Sequence, residues 1–296
     1  LMVASGITTV LDAVAIGDVR DGGDRLENLE KMINAVEETQ KRGLNRAEHR
    51  LHLRCELPHH TTLPLFEKLV GREPVSLVSL MDHSPGQRQF ANIAKYREYY
   101  QGKYSLSDAE MARYEEEQLA LAAQWSQPNR LKIAAICRDR NIALASHDDA
   151  THDHVRESHQ LGIAIAEFPT TFEAAEASRK HGMSVLMGAP NIVRGGSHSG
   201  NVAASRLASL GLLDILSSDY YPASLLDAAF RVADNEDNSF TLPQAIRLVT
   251  KNPASALNLH DRGEIAEGKR ADLVLAHRKG EHIHIDHVWR QGKRVF

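Results

Sequence analysis

Acidic and imidazole side chains stand at the ends of five mainly apolar segments of this sequence. These residues are Glu56, His83, His147, Glu167 and Asp219. A charged group at the end of a buried segment is costly unless it is paired or bound to a metal ion. Mixed imidazole and carboxylate ligands suit Zn²⁺ or Mn²⁺ better than Ca²⁺. We therefore expect one or two divalent ions, with Glu56, His83, His147 and Asp219 as ligands.

Each of these residues also has a simpler interpretation, because a polar side chain can cap a strand through hydrogen bonds alone. This alternative stays open for Glu56 and Glu167 above all, and to a lesser degree for His83. The sequence contains 16 histidines, and histidine is the commonest metal ligand. The number of histidines favours a metal site but does not locate it. The combination of acidic and imidazole residues at the ends of apolar segments is a more specific indication of such a site.

A glycine-rich segment, residues 188–201, carries a different chemistry. It joins an apolar strand to a helix and holds one arginine among small residues. Backbone N–H groups at a helix start and a guanidinium both bind anions, so the segment predicts a site for a phosphorylated small molecule. The expected contacts come from Arg194, Gly195, Gly196, Ser197 and His198. The alternative is a flexible loop in which glycine only permits turns.

A second cation follows another of the predicted strand ends. Arg88 lies five residues after His83, in a segment that begins where an apolar strand stops. We expect its guanidinium to reach the same substrate, because the carboxyl ends of parallel strands meet at one edge of a sheet.

Seven apolar, β-branched stretches bounded by turn residues predict the strands that position these groups. Amphipathic stretches lie between them, such as 27–43, in which Leu29, Ile33 and Val36 share one helical face. Alternating strands and helices predict a mostly parallel sheet. The strand candidates are Ile7–Val14, His49–Glu56, Val75–Asp82, Ile142–His147, Ile163–Phe168, Ser184–Met187 and Ile215–Asp219.

Seven strand–helix units are one short of a (β/α)8 barrel of the TIM type. The sequence begins at Leu1 and enters a strand-like stretch almost at once. We therefore expect an α/β barrel of strands 2 to 8 over residues 1–258, with the first strand in an N-terminal part that is missing here. An open doubly wound sheet is the rival, but no glycine-rich dinucleotide fingerprint follows an early strand.

Two further segments lie outside the repeating pattern. A polar helix is predicted over Ser107–Ala123, and its first residue forms a capping-box pattern with Glu110. Near the end of the chain, two short strands, Gly263–Ala276 and Ile283–Phe296, are joined by glycine-containing turns. Residues 259–296 are therefore expected to form the C-terminal portion of a small β-sandwich.

Composition excludes several classes of protein. The sequence has 296 residues, 42% hydrophobic and 25% charged, which is typical of a folded globular chain. The net charge of −4 argues against a nucleic-acid partner, and no apolar stretch approaches the roughly 18 residues of a membrane span. Two cysteines, Cys55 and Cys137, are too few for a disulfide framework, so we expect a reducing compartment, the cytoplasm. The sequence does not determine whether the protein forms a homo-oligomer.

The sequence resembles the amidohydrolase superfamily over essentially its whole length. The stretches that carry the resemblance are 79–89, 146–152, 166–171, 188–201 and 217–222, with a tail at 252–257 and 263–275 that is typical of the superfamily. The segments at His83, Glu167 and 188–201 are most similar to a diphosphatase branch that acts on a ribose 5-triphosphate. The resemblance implies a (β/α)8 barrel, a small β-sandwich and a mono- or binuclear metal site.

The resemblance also implies roles for single residues. His147 and Asp219 correspond to the usual strand-five histidine and strand-eight aspartate. His147 and His83 would hold metal, Asp219 would orient a water molecule and accept its proton, and Arg194 with the glycine amides would bind phosphate oxygens. Glu167 stands where the superfamily usually has a histidine, and the usual His-x-His motif is absent. Whether Glu56 or His83 replaces the usual bridging ligand stays open.

The implied reaction is hydrolysis of α-D-ribose 1-methylphosphonate 5-triphosphate to the 5-phosphate and pyrophosphate, a step of phosphonate breakdown. Two rivals remain. The first is a hydrolase of C–N bonds, a cyclic amidase or a deaminase, which the superfamily tail allows equally. The second is an inactive barrel fragment that only binds an anion.

Overall fold

Seven parallel strands form one sheet in the computed structural model, which describes residues 1–17, 24–197 and 200–296, without the side chains of residues 24–27. Neighbouring strands follow chain order, so each predicted strand forms and pairs with the next. The strands are β1 (Thr9–Ile16), β2 (Glu48–Glu56), β3 (Val75–Met81), β4 (Ala143–His147), β5 (Ile165–Glu167), β6 (Ser184–Gly188) and β7 (Ile215–Ser217).

The sheet curls so that its first and last strands face a common interior. Leu11 of β1 packs against the apolar cluster that contains Leu77 of β3 and Ile215 of β7. All residues of β3 are buried, as expected for a parallel strand that is covered on both faces. The predicted fold class, an α/β sheet of the TIM-barrel type, is confirmed with seven strands in the described part of the chain.

Helices lie between the strands in sequence. They are α1 (Asp24–Lys41), α2 (Thr62–Leu69), α3 (Ile93–Tyr104), α4 (Asp108–Asp139), α5 (His152–Gln160), α6 (Phe172–Lys180), α7 (Ala189–Arg194), α8 (Ala204–Ser209), α9 (Ser224–Asp234), α10 (Leu242–Arg247) and α11 (Lys251–Ala256). Leu29 and Ile33 of α1 are fully buried in one cluster with Leu51 and Leu53 of β2, and Val36 packs against it. The predicted apolar face of this helix is therefore confirmed. None of the described helices combines the length and the apolar character needed to cross a bilayer.

Helix α4 is longer than its sequence indicates. The capping box between Ser107 and Glu110 forms as predicted. The predicted end at Ala123 is wrong, because the helix continues to Asp139 and includes Pro128. The second half is held by tertiary contacts: the Nδ2 of Asn129 donates to the carbonyl oxygens of Leu57 and His59 at 2.8 and 3.0 Å. Packing of this kind outweighs the local cost of proline.

An antiparallel sheet ends the chain, with the strand order β10-β9-β8. Its strands are β8 (Leu273–Lys279), β9 (His282–Arg290) and β10 (Lys293–Arg294). The strand predicted to begin at Gly263 begins only at Leu273, so this prediction is wrong for residues 263–272. A Cβ on Gly263 would lie 2.8 Å from the Cα of Lys251, so the chain there runs against α11 instead of pairing in the sheet. The domain boundary at residue 258 stays a prediction.

Candidate active site

A cavity of about 290 Å³ is lined by residues at and beyond the carboxyl ends of the parallel strands. This is the end of a TIM-type barrel where active sites form. The lining residues come from β2, from the ends of β4 and β6, and from the segments that follow β3 to β7. Its polar lining residues are Arg54, His83, Gln89, His147, Asp148, Asn191, Arg194, Ser197, Asn201, Asp219 and Tyr220.

Three of these residues form a candidate metal site. One ligand atom each from His83, His147 and Asp148 lies within 4.8 Å of the other two. The Oδ2 of Asp148 is 3.4 Å from the Nε2 of His147 and 3.9 Å from the Nε2 of His83. Two imidazole nitrogens and a carboxylate suit a zinc or manganese ion. The site thus brings together two of the predicted ligands and adds Asp148, which the sequence analysis did not include.

A buried carboxylate holds the second nitrogen of each imidazole. Glu56 accepts from the Nδ1 of His83 at 2.6 Å and from its backbone N–H at 3.0 Å. Glu167 accepts from the Nδ1 of His147 at 2.8 Å. A proton on Nδ1 leaves the lone pair on Nε2, the nitrogen that faces Asp148, and a metal-binding histidine is typically oriented in this way. The donor set therefore fits a divalent ion.

Glu56 and Glu167 contact the histidines of the candidate metal site through the nitrogen that faces away from Asp148. Both oxygens of Glu56 are engaged by His83, and Glu56 is not part of the three-residue group among the described residues. Burial alone would lower the pKa of His83, but the charge of Glu56 outweighs it and raises that pKa. Glu56 therefore orients the His83 ring, whereas its predicted role as a direct ligand stays a prediction.

Glu167 is the end of a hydrogen-bond chain across the sheet. The hydroxyl of Ser79 donates to its Oε2 at 2.7 Å, and the Nε2 of His52 lies 2.5 Å from the same hydroxyl oxygen. Burial lowers the pKa of His52 to about 4. Burial would raise the pKa of Glu167, but the neighbouring imidazoles of His147 and His52 and the hydrogen bond from the Nδ1 of His147 outweigh it and hold that pKa far below its usual range. Glu167 is thus a carboxylate that fixes His147.

Aromatic rings flank both imidazoles. The ring of Phe168 meets that of His147 edge to face, with centroids 5.6 Å apart, and Phe90 lies 6.1 Å from His83 in the same way. Such rings limit the access of water to the imidazoles, which strengthens electrostatic interactions between them and their carboxylates.

Left-handed backbone conformations occur directly after β4 and β5 and at the second residue after β7. Asp148, Phe168 and Asp219 have φ angles of 56°, 57° and 48°. This region of φ is uncommon for residues other than glycine, although aspartate tolerates it better than most. Such residues concentrate at functional sites, where the surrounding structure holds them. In this chain, all three line the cavity.

Asp219 and Arg194 lie in the cavity wall, as the sequence predicts for a common site. A Cβ on Gly188 would be 3.2 Å from the Oδ2 of Asp219, so the absence of a side chain at Gly188 makes room for this carboxylate. Arg194 donates to the hydroxyl of Tyr220 at 3.1 Å. Asp219 is not part of the three-residue metal group of the described residues, and its predicted role as a ligand stays a prediction.

The glycine-rich segment differs from its predicted form. Helix α7 follows β6 directly, and Gly195 and Gly196 come after this helix. Their N–H groups donate to the carbonyl oxygens of Ile192 and Asn191 at 3.2 and 2.9 Å. The expectation of free amides is therefore wrong for both glycines, because the end of the helix uses them. Gly196 and Ser197 still line the cavity, and His198 lies outside the described residues.

Arg88 is placed away from the cavity wall. Its side chain is 2% exposed and pairs with Asp149 and with Glu157, the latter at 3.2 Å. Burial lowers its pKa to about 10. The expectation that Arg88 reaches the substrate is not met by this geometry, because two carboxylates already engage its guanidinium.

Arg54 and Asp148 are the charged residues of the cavity lining that the sequence analysis missed. Asp148 stands between His147 and Asp149, and the strand pattern alone does not tell which of the two aspartates turns inward. Arg54 is a cation on strand β2, between the fully buried residues Leu53 and Cys55 and two residues before Glu56. Such a charge is costly in a buried strand, and this was the one signal that could have identified it.

A profile described as "Amidohydrolase family" matches residues 2–296. The chain therefore belongs to the amidohydrolase family, and the resemblance seen in the sequence is confirmed. Over all 296 residues it is 88% identical to the alpha-D-ribose 1-methylphosphonate 5-triphosphate diphosphatase of Escherichia coli (strain K12), and it covers 78% of that protein.

Solved structures resemble the chain in fold at low sequence identity. A dihydropyrimidinase from Brevibacillus agri NCHU1002 matches with a TM-score of 0.54 and 12% identity, over 98% of this chain and 77% of that one. A D-hydantoinase matches with a TM-score of 0.49 and 12% identity, over 99% and 78% of the two chains. At this identity, the match to the dihydropyrimidinase supports the fold of the chain and says nothing about its activity.

Proposed function

We propose that the protein hydrolyses α-D-ribose 1-methylphosphonate 5-triphosphate to the 5-phosphate and pyrophosphate, as a metal-dependent diphosphatase of phosphonate breakdown. The observation that carries this proposal is the 88% identity, over the whole chain, to the Escherichia coli diphosphatase. The cavity supports it independently, because it combines a candidate metal site with two arginines, Arg54 and Arg194.

The residues that would hold the metal are His83, His147 and Asp148, with Glu56 and Glu167 fixing the two rings. When bound, a divalent ion, zinc or manganese, lowers the pKa of water toward neutrality and polarises a phosphoryl oxygen. One or two ions are compatible with the proposal. Asp219, which lines the same cavity, is the carboxylate that we propose as a ligand of a second ion.

Asp219 is proposed as the general base. Its carboxylate lies in the wall of the cavity, at the carboxyl end of the last parallel strand. A base must stand within hydrogen-bond reach of the attacking water, and a carboxylate next to a metal site can both orient this water and accept its proton. His147 keeps its Nε2 lone pair directed at the metal site through the Nδ1 bond to Glu167.

Arg194 is proposed to bind the phosphate chain. A triphosphate repels an attacking anion, so its charge has to be neutralised before attack. The guanidinium of Arg194 is held by the Tyr220 hydroxyl at 3.1 Å, and Ser197 lines the cavity beside Gly196. Arg194 and Ser197, rather than the amides of Gly195 and Gly196, are therefore the proposed phosphate ligands of this segment. A neutral C–N substrate would not require this arginine.

Product analysis tests the proposal against its rivals. The protein is loaded with Zn²⁺ or Mn²⁺ and incubated separately with the ribose triphosphate, with dihydrouracil and with adenosine. We expect release of one pyrophosphate for each α-D-ribose 1-methylphosphonate 5-phosphate formed, and we expect a chelator to inhibit this reaction. Ring opening of dihydrouracil or ammonia from adenosine, without pyrophosphate, would favour a C–N hydrolase. Binding of the triphosphate without any product would favour an anion-binding barrel.

The setting of the reaction is part of the same proposal. Cys55 and Cys137 are both free and buried, which agrees with a reducing compartment, and we propose the cytoplasm as the place of action. A phosphorylated small molecule is the proposed partner, and self-association is to be measured by light scattering.

A further inference from the structure

Arg54 of β2 contacts the candidate metal site directly. Its Nη2 lies 3.0 Å from the Nε2 of His147, and its Nε lies 3.4 Å from the sulfur of Met81. The guanidinium also lines the cavity. Among the contacts of the described residues, Arg54 is the cation nearest to a candidate metal ligand.

The chemistry of the two groups fixes the direction of their hydrogen bond. A guanidinium has only N–H donors, so the Nε2 of His147 must accept. The Nδ1 proton of the same ring is given to Glu167 at 2.8 Å. The lone pair that accepts from Arg54 is therefore the one that a metal ion would use. A single lone pair cannot serve the guanidinium and a metal ion together.

We propose that Arg54 has two alternative partners: the Nε2 of His147, for which it competes with the divalent ion, and the phosphate oxygens of the substrate beside that ion. A divalent cation at His147 takes the lone pair that the guanidinium uses and repels this cationic group, so Arg54 has to turn away from His147 when the ion binds there. A planar fork of donors then faces the cavity, where phosphate oxygens are its best acceptors. The second part rests on the proposed function, whereas the first does not.

Neighbouring residues favour such a turn over a purely structural role. Arg54 has no carboxylate within ion-pair distance among the contacts described, unlike Arg50, which pairs with Glu48 at 2.8 Å on the same strand. Its described partners are a thioether and an imidazole nitrogen. Both are weak acceptors for a guanidinium compared with a phosphate oxygen.

Metal titration is the first test. Metal-free wild type, Arg54→Met, Arg54→Lys and the control Arg50→Met are titrated with ZnCl₂ and MnCl₂ by calorimetry, after circular dichroism has shown that each is folded. We expect Arg54→Met to bind the ion about tenfold more tightly than wild type, because a competitor for the lone pair is gone. Arg50→Met should match wild type. Unchanged or weaker binding by Arg54→Met would overturn the competition.

Anion binding is the second test. The metal-loaded proteins are titrated with inorganic tripolyphosphate. We expect Arg54→Met to bind it at least about tenfold more weakly, Arg54→Lys to be intermediate and Arg50→Met to be unchanged. Equal affinities for wild type and Arg54→Met would overturn the phosphate contact. If wild type released no pyrophosphate from the ribose triphosphate but both Arg54 effects were present, the proposed function would fail and the inference would stand.

Discussion

Arg130 of α4 lies 3.6 Å from Asp82, the residue immediately before the candidate ligand His83. The pair is part of a buried network, since Arg130 also lies 3.4 Å from Glu157 of α5, and Glu157 in turn pairs with Arg88. Arg88 reaches Asp149, the residue immediately after the candidate ligand Asp148. Two arginines therefore connect the loops after β3 and β4, each of which carries a candidate ligand.

Replacing Arg130 with methionine should weaken both the fold and the metal site. The substitution leaves Asp82 as a buried carboxylate without its cation, and breaking such a pair typically costs about 3–5 kcal/mol. We expect the free energy of unfolding in urea to fall by roughly that amount. We also expect weaker binding of Zn²⁺ under native conditions, because the His83 loop loses its anchor.

Arg138→Met is the matched control, since Arg138 is exposed near the end of the same helix. It should leave both measurements within about 0.5 kcal/mol of wild type. An Arg130→Met protein as stable as wild type would contradict a structural role for the network.

Glu167→Gln should weaken metal binding without unfolding the chain. Glutamine keeps one acceptor oxygen for the Nδ1 of His147 but removes the charge that favours this orientation. Loss of such an outer partner typically costs about 10–100-fold in metal affinity. The affinity for Zn²⁺ is measured by calorimetry on the folded protein. Glu173→Gln, an exposed site on α6, provides the control, and an equal affinity for both variants would remove Glu167 from the metal site.

Asp219→Asn should abolish most of the pyrophosphate release. Asparagine tolerates the left-handed φ of 48° at this position, so the backbone is expected to stay as it is, while the amide is unable to accept a proton. A missing general base typically lowers kcat by about 10²–10⁴-fold. The rate is measured with saturating triphosphate, next to the melting temperature of each variant. Asp227→Asn, on α9, is the control, and full turnover by Asp219→Asn would exclude it as the base.

Much of the fold could be predicted because buried parallel strands leave a clear signal. All residues of β3 are buried, and five of the seven residues of its sequence, Val75–Met81, are apolar. The end of α4 could not be predicted, because the helix passes Pro128 on the strength of contacts with a distant loop. Such contacts are absent from any local window of sequence.

The residues of the site that lie at strand ends could be predicted from the sequence, whereas those in the segments after the strands were harder to predict. His83, His147, Asp219 and Arg194 come together in one cavity, since parallel strands end at one edge. The choice between Asp148 and Asp149 depends on the left-handed turn at Asp148, which sends one carboxylate to the histidines and the other to Arg88. The sequence analysis wrongly expected the backbone amides of Gly195 and Gly196 to bind phosphate, because the pattern of apolar residues did not reveal the short helix α7 whose end uses these amides.

The stability of the chain should depend on Glu48 at acid pH. Glu48 begins β2 and pairs with Arg262, at 2.9 Å, and with Arg270, both from the segment that leads into the terminal sheet. Burial would raise the pKa of Glu48, but the two guanidinium groups outweigh it and lower the pKa from 4.5 to about 2. A carboxyl group whose pKa is lower in the fold than in the unfolded chain stabilises the fold fully at pH values above its unfolded-state pKa. This stabilisation is lost as the pH falls from about 5 toward 2. The contribution at pH 7 is on the order of 3 kcal/mol.

Glu48→Gln should therefore be less stable than wild type at pH 7, by an amount that narrows to about half at pH 3. The reason is that Glu48 takes up a proton in the unfolded chain as the pH falls below 4.5, whereas it stays ionised in the fold down to about pH 2. Acid therefore stabilises the unfolded state of wild type and leaves that of Glu48→Gln unchanged at this position. Urea unfolding at pH 7, 5, 4 and 3 measures the difference, with Glu38→Gln on the exposed face of α1 as the control. A difference that stays constant over this range would show that the ion pairs with Arg262 and Arg270 do not carry the effect.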